Sequence, residues 1–154
     1  MLQLFNVQPK KIVGAEKITL WFGGWPTFHD AEVLNLRLDR NGPVLTVSIF
    51  TFLVNRSATD ERGYYRRTHS CIVTLSCHDV HDLSIEDFNL QNVIQELIIR
   101  EDDDEVEVVF AGIYGLSARL RCSVIAVDNL APVESEEIGG SHGQVSRTEQ
   151  SGTA

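Results

Sequence analysis

A run of alternating residues followed by a tight-turn dipeptide limits the fold of this chain more than any other feature. From Val33 to Arg40, apolar and polar side chains alternate, which is the pattern of a strand buried on one face. The side chains expected to face inward are Leu34, Leu36 and Leu38. Asn41-Gly42 comes next and favours a two-residue hairpin turn, and residues 44–54 alternate again. The sequence therefore predicts an antiparallel pair of strands as the starting unit of the fold.

Other segments extend this pair into a sheet. Strand patterns recur at residues 64–77, 106–110 and 116–127, whereas residues 55–63 are predicted to be a polar loop. Residues 15–22 can form about two helical turns. The regular alternation of strands and helices that a parallel sheet requires is absent. We therefore predict a mainly β (α+β) fold, with an antiparallel sheet that is curled or two-layered and a short N-terminal helix.

Residues 81–99 fit two kinds of secondary structure. Leu90, Val93, Ile94 and Leu97 have the spacing of one helical face. The β-branched residues that follow Val93 suit a strand instead. The spacing of the apolar residues alone favours a helix.

The length and the composition divide the chain near residue 131. A chain of 154 residues is long enough for one domain with its own core, which we place at residues 1–131. From residue 132 onward Glu, Ser, Gly and Gln predominate, and too little apolar surface is present to offset chain entropy. Residues 132–154 are therefore predicted to be a disordered acidic and polar tail.

The charge balance limits the partners of the chain. It has 22 acidic and 13 basic residues, a formal net charge of −9. Nucleic acids and anionic membranes favour surfaces rich in Lys and Arg, so we expect neither as a partner. A basic protein partner is compatible because charge complementarity steers association, although an acidic surface also simply keeps a protein in solution. No signal peptide or long apolar run is visible, so we expect a cytoplasmic protein.

One cluster of residues contains the side-chain types that bind zinc. Its members are His69, Cys71, Cys77, His78 and His81. No paired Cys-x-x-Cys units occur, and Cys71 and Cys77 fall on the apolar face of a predicted strand. We therefore predict buried free cysteines and surface histidines, with no metal site and no cofactor.

Residues 21–33 form an aromatic-rich segment that we call the corner. Trp25-Pro26 favours an extended or turn conformation because proline disfavours the α region for the residue before it. His29, Asp30 and Glu32 could serve as acid-base groups, but no glycine-flanked nucleophile or phosphate loop accompanies them. We predict that His29 and Asp30 bond to nearby backbone groups and that the chain has no catalytic residues.

Two blocks of sequence carry a family resemblance. They are Trp-Pro-Thr-Phe-His-Asp-Ala-Glu-Val at residues 25–33 and Asp-Phe-Asn-Leu-Gln-Asn-Val-Ile at residues 87–94. Together they resemble the immunity protein 50 family of bacterial polymorphic-toxin systems, over about residues 15 to 130. The motif residues are Trp25, Pro26, Phe28, His29, Asp30, Glu32, Phe88, Asn89, Gln91 and Asn92. The resemblance implies extended chain at residues 81–99, with the Asn-rich motif at a bend, and we adopt strand there.

The resemblance also implies a function. An immunity protein of this kind would bind a cognate toxin domain in the cytoplasm of the toxin-producing cell and block its active site, without being an enzyme. Surface loops usually set specificity, so we expect the contacts on two acidic loops. These contact residues are Asp60, Glu61, Glu101, Asp102, Asp103, Asp104 and Glu105. We expect a monomer or a weak homodimer.

Two alternative functions remain open at this stage. A small enzyme or ligand-binding domain could have its pocket beneath the corner from Trp21 to Glu32, with His29 and Asp30 as the polar groups. A structural subunit could instead associate through the face that carries Phe50 and Phe52. A concave pocket with convergent polar groups would favour the first alternative, and a dimer in solution the second.

Overall fold

A computed structural model describes residues 5–134 of the chain, which form nine strands and one short helix. The elements in chain order are β1 (Ile12–Val13), α1 (Glu16–Phe22), β2 (Glu32–Asp39), β3 (Val44–Thr59), β4 (Tyr65–His78), β5 (His81–Glu86), β6 (Val93–Glu101), β7 (Val106–Tyr114), β8 (Ser117–Cys122) and β9 (Val124–Pro132). The predicted mainly β fold with a short N-terminal helix is confirmed. Within residues 5–134, no helix is long and apolar enough to cross a membrane.

The strands join in one sheet with the order β1-β9-β4-β3-β2-β6-β7-β8-β5. β1 pairs with β9 in parallel, and the other neighbours are antiparallel. A single residue pair, Glu32 with Val93, joins β2 to β6. The sheet is therefore mixed and mostly antiparallel, in two groups of strands that meet at one bridge, and it is neither closed nor strongly curled.

Both groups of strands contribute to one hydrophobic core. The inward-facing residues of β3 and β4 are those that the alternation predicted, and they are buried. They are Leu45, Val47, Ile49, Cys71, Val73, Leu75 and Cys77. Helix α1 buries Ile18 and Phe22 in the same core and ends at Gly23, whose φ of 81° is the left-handed conformation that glycine adopts without strain.

The predicted inward face of β2 is right for Leu36 and Leu38, which lie opposite the buried Val47 and Leu45, and wrong for Leu34. The pairing of β2 with β3 shifts between Val33 and Asn35, so one residue is inserted and the side-chain alternation changes sides. Val33 is consequently buried, Leu36 is half-buried, and Leu34 and Leu38 are exposed. A regular alternation in the sequence could not reveal this bulge.

The single strand predicted over residues 116–127 is also wrong. The chain leaves β8 after Cys122, and β9, which begins at Val124, pairs with β4 in the other group of strands. Ser123 makes the crossing, and its backbone N–H donates a hydrogen bond to the carbonyl of His78 at 2.9 Å. The buried positions change parity there, so Ile125 is buried and Val124 is not.

The predicted loop over residues 55–63 is largely strand. β3 continues to Thr59, and only Asp60 to Gly63 form the turn before β4. Asn55 organises the irregular part of β3, because its side-chain oxygen accepts hydrogen bonds from both the backbone N–H and the hydroxyl of Ser57. β3 and β4 therefore form a long hairpin.

The strand assignment of residues 81–99 is confirmed, and the helix favoured by the apolar spacing is not formed. β5 and β6 flank a bend at residues 87–92 that contains the Asn-rich motif. At the other end of the chain, Pro132 is the last residue of β9. Residues 135–154 of the predicted tail lie outside the described residues, so its disorder stays a prediction.

Candidate functional site

The corner is the joint between β2 and β6. Trp25 and Phe28 are buried against each other, with their ring centroids 5.9 Å apart and nearly perpendicular. Phe28 and Asp30 both have left-handed backbone angles, with φ near 60°, and the N–H of Asp30 donates to the carbonyl of Ile94 at 3.0 Å. The buried aromatic residues of the first motif, together with Pro26, therefore fix how the chain enters β2.

His29 stands at the rim of the corner and bonds to the backbone of β6. Its Nδ1 lies 3.0 Å from the carbonyl oxygen of Gln95. A carbonyl oxygen only accepts, so Nδ1 carries the hydrogen and Nε2 is left facing Asp30, 3.5 Å from Oδ2. Both side chains are exposed. His29 therefore makes a side-chain bond to the backbone as predicted, whereas the Asp30 carboxylate faces His29 and bonds to no backbone group among the described residues.

A cleft of about 870 Å³ lies beside the corner. Phe28 and His29 line one side, and Phe52, Arg56 and His69 line the other. Its volume is in the range of small-molecule sites. The cleft lies where the ligand-binding alternative placed a pocket, but His29 is already bonded to the backbone through Nδ1.

The face of β3 that carries Phe50 and Phe52 is covered within the chain. Both side chains are buried, and their ring centroids lie 5.7 Å apart. The guanidinium carbon of Arg67 lies 4.1 Å from the centroid of the Phe52 ring, a cation–π contact. The two rings are therefore not exposed as the structural-subunit alternative requires.

The second motif forms a hydrogen-bonded bend that we call the asparagine loop, residues 87–92. Asn92 is 2% exposed, and its Oδ1 accepts hydrogen bonds from the backbone N–H of Asn89 at 2.9 Å and of Leu116 at 3.1 Å. Its Nδ2 donates to the carbonyl of Asn89 at 2.6 Å. Asn89 in turn accepts from the N–H of Gln91 and donates to the carbonyl of Asp87. The two asparagines therefore fix the loop from inside and tie it to the turn before β8.

The acidic turn, residues 101–105, connects β6 to β7. Its first residue, Glu101, accepts hydrogen bonds from the backbone N–H groups of Lys10, at 3.0 Å, and of Lys11. Lys11 Nζ also donates to the carbonyl of Asp102. The N-terminal segment therefore covers one side of the turn and partly compensates its charge.

Asp102 closes the acidic turn with its own side chain. Its Oδ1 accepts hydrogen bonds from the backbone N–H of Asp104 at 3.0 Å and of Glu105 at 2.7 Å. These bonds hold the pKa of the Asp102 carboxyl below its ordinary value, and the charges of Arg121 and Lys11 act in the same direction. Asp102 therefore serves first as a turn residue.

Glu105 attaches the acidic turn to β5 and β8. Its carboxylate lies 2.9 Å from His81 Nε2 and 3.1 Å from Arg121 Nε. The pKa of His81 is raised, first by the bond between Nδ1 and the carbonyl of Asp79 at 3.2 Å, and further by the charge of Glu105. Of the five acids, Asp103 and Asp104 are exposed and make no ion pair among the described residues.

The other predicted contact residues lie at the tip of the long hairpin. Asp60 Oδ1 accepts hydrogen bonds from the N–H of Arg62 and of Tyr64, each at 2.9 Å, so Asp60 holds the turn and Glu61 is exposed. Arg62 and Arg66 are exposed on the same tip. The tip is therefore not a purely acidic surface.

The structure does not bring the two acidic loops together. Val106, at the end of the acidic turn, pairs with Cys122, and Ser123 bonds to His78, which lies opposite Val44. The acidic turn is thus near the beginning of β3, whereas the hairpin tip follows its end. The 16 residues of β3 span roughly 50 Å at about 3.3 Å per residue. A standard interface buries about 800 Å² per partner, so one compact interface holds only one of the two loops.

The cysteines and histidines of the predicted zinc-type cluster are dispersed. Cys71 and Cys77 are buried, and the pKa of the Cys71 thiol is raised by burial to about 12. His78 Nε2 lies 3.0 Å from the hydroxyl of Ser76, and His81 is bonded to Glu105. Within residues 5–134, no three His, Cys, Asp or Glu side chains are placed to hold a metal ion together.

Sequence reasoning missed one surface next to the second motif. Phe88 is 44% exposed and Leu90 is fully exposed, although both are large apolar residues. The apolar spacing assigned Leu90 to the buried face of a helix. The Asn-rich composition around Phe88 and Leu90 was the signal in the sequence that could have indicated this surface. Asparagine amides that bond to local backbone groups stabilise a bend, and the side chains next to them in a bend can point outward.

Comparison with known proteins gives one family and one solved structure. The family model described as "Immunity protein 50" matches residues 14–133. No curated protein matches the chain. A crystal structure of an uncharacterized protein from Neisseria gonorrhoeae is similar, with 15% sequence identity and a TM-score of 0.41, over 68% of this chain and 93% of that one.

Proposed function

This chain belongs to the immunity protein 50 family, and we propose that it binds a cognate toxin domain and neutralises it by covering the toxin's active site. The observation that carries the proposal is the family match, which extends from residue 14 to residue 133 and so includes the corner, the asparagine loop and the acidic turn. Neutralisation of a toxin is implied by the family. The chain acts by binding, without catalysing a reaction, in the cytoplasm of the cell that makes the toxin, and as a monomer or a weak homodimer.

The charge of the protein supports a basic toxin surface as the partner. A net charge of −9 accelerates the encounter with a basic protein, most strongly at low ionic strength. Asp103 and Asp104 are exposed and free of ion pairs within the described residues, so they are available to basic groups of the toxin. Asp60 and Glu61 are the weaker of the two predicted contact sets, because arginines surround them.

The decisive experiment uses, as the candidate toxin, the C-terminal domain of the protein encoded immediately upstream of the gene for this chain. The domain is expressed in a bacterial host with and without this protein, and growth is followed, while affinity capture tests the complex directly. We expect growth arrest with the toxin domain alone, and growth together with a stable complex when both are present. Arrest in both strains, without a complex, would refute the proposed function.

Charge reversal tests which of the two acidic loops contacts the toxin domain. The Asp103→Lys/Asp104→Lys variant should slow association with the toxin domain by about tenfold at low salt, because charges at the rim of an interface act mainly on the association rate. Glu61→Lys is the control, since Glu61 is also an exposed turn acid but lies at the far end of β3. Stopped-flow or surface-based kinetics give both rates. If Glu61→Lys slowed association more than Asp103→Lys/Asp104→Lys, the contact would lie at the hairpin tip instead.

A further inference from the structure

An exposed apolar surface lies at the end of β5 where the asparagine loop meets the turn after β7. Its members are Ile85, Phe88, Leu90, Ile113 and Tyr114, and we call it the Phe88 patch. Their exposed fractions run from 39% for Ile85 to 102% for Leu90. The segments adjoin, because Tyr114 pairs with Val93 directly after the loop and Leu116 bonds to Asn92 within it. Grouped exposed apolar residues mark interaction surfaces more often than single ones do.

The backbone under the Phe88 patch is fixed before any partner arrives. Asn89 and Asn92 bond to the loop's own N–H and carbonyl groups, and Asp87 has a left-handed backbone angle, with φ of 57°. These polar groups hold in place a loop whose most exposed apolar side chain, Leu90, is fully exposed to solvent. A rigid loop loses little conformational entropy on binding, which favours affinity.

Acidic residues connect the Phe88 patch to the acidic turn. β5 is the last strand of the sheet order, and its exposed acids are Asp82 near the His81 end and Glu86 at the other end. The six residues of β5 span roughly 20 Å at about 3.3 Å per residue, and His81 at its start contacts Glu105. That span fits within one interface of standard size.

We propose that the toxin domain docks on the β5 edge, with Phe88 and Leu90 inserted into an apolar pocket of the toxin and basic toxin groups facing Glu86 and Asp87. This inference rests on the proposed function and names the surface that carries it out. Buried aromatic and aliphatic anchors at the centre of an interface contribute most of its binding energy, and acids at its rim set the speed of association.

Single truncations test the docking surface. The toxin domain encoded beside the gene is titrated calorimetrically with wild type, Leu90→Ala and Phe88→Ala. We expect each variant to weaken binding by at least tenfold. Leu20→Ala is the matched control, because Leu20 is an 83% exposed leucine on α1, and its affinity should stay within twofold of wild type. Urea unfolding of each variant confirms that Leu90→Ala, which removes atoms that contact only solvent, leaves the fold intact.

The outcomes distinguish the docking surface from the function itself. Weaker binding by Leu90→Ala and Phe88→Ala with an unchanged Leu20→Ala supports the β5 edge. Tight binding by wild type and equally by both patch variants overturns the docking surface and leaves the immunity function standing. The absence of binding by wild-type protein overturns both proposals.

Discussion

Removal of the Asn92 side chain should destabilise the protein by about 2–6 kcal/mol. The side chain accepts hydrogen bonds from the backbone N–H groups of Asn89 and Leu116 and donates one to the carbonyl of Asn89. The Leu116 N–H is buried, so in Asn92→Ala it loses its partner at a cost of about 1–3 kcal/mol. The two bonds to Asn89 are only partly buried, and their loss adds about 0.5–1.5 kcal/mol each.

Urea unfolding followed by circular dichroism measures this loss as a change of midpoint at constant slope. For a protein of this size the melting temperature should also fall by roughly 5–15 °C. Gln91→Ala is the control in the same loop, because the Gln91 side chain is exposed and makes no hydrogen bond among the described residues, so its effect should stay within about 0.5 kcal/mol. A loss below about 0.5 kcal/mol in Asn92→Ala would show that water replaces these bonds and that the asparagine loop does not depend on them.

Three further measurements test other parts of the structure. Gly115→Ala should lower the free energy of unfolding in urea by at least about 1–3 kcal/mol, because Gly115 has φ of 69° and an added Cβ would lie 2.3 Å from the carbonyl oxygen of Gln91. Glu105→Gln should lower the pKa of His81 in an NMR titration. A histidine whose pKa is raised in the folded state stabilises the fold at low pH, and this contribution disappears as the pH rises through the raised pKa. The variant should therefore lose more stability at pH 5.5 than at pH 8. An equal loss at both pH values would contradict that contact. The Cys71 thiol, with its pKa of about 12, should react with a disulfide reagent at pH 8 only after unfolding in urea, and fast labelling of the folded protein would contradict its burial.

The alternation of apolar residues predicted the core of the long hairpin well but not the course of the chain around it. Leu45, Val47 and Ile49 are buried as expected, because β3 pairs regularly with β4 over that stretch. The predicted inward face of β2 was right for Leu36 and Leu38 but wrong for Leu34, since the bulge after Val33 shifts the register of a sequence that alternates without interruption. The predicted last strand is interrupted at Ser123, where the chain passes from β8 to β9 and the backbone bonds to His78; the apolar alternation of the sequence gives no sign of this crossing.

The sequence predicted which kinds of bonds the side chains of the candidate site make better than it predicted where those side chains lie. The motif residues Asn89 and Asn92 were expected in a bend and do satisfy backbone groups there. The partner contacts expected of Asp60 and Asp102 stay a prediction, but each carboxylate also closes its own turn, which the spacing of acids in a sequence does not disclose. Helical spacing alone would have buried Leu90, but Leu90 lies in the asparagine loop and is fully exposed, where the asparagine side chains bond to the backbone of a bend.

The position of β9 has a consequence for how the protein is made. Among the strands of residues 5–134, β9 is the last to leave the ribosome, and it is the sheet neighbour of both β4 and β1. Until residues 124–132 emerge from the exit tunnel, β4 has one unpaired edge and Ile12-Val13 have no strand to join. Native pairing of β4 and β1 therefore waits for residues 124–132, and a nascent chain that stops at Ser123 leaves that edge open to other chains. Each newly made molecule acquires its finished surface only after the whole domain has been synthesised.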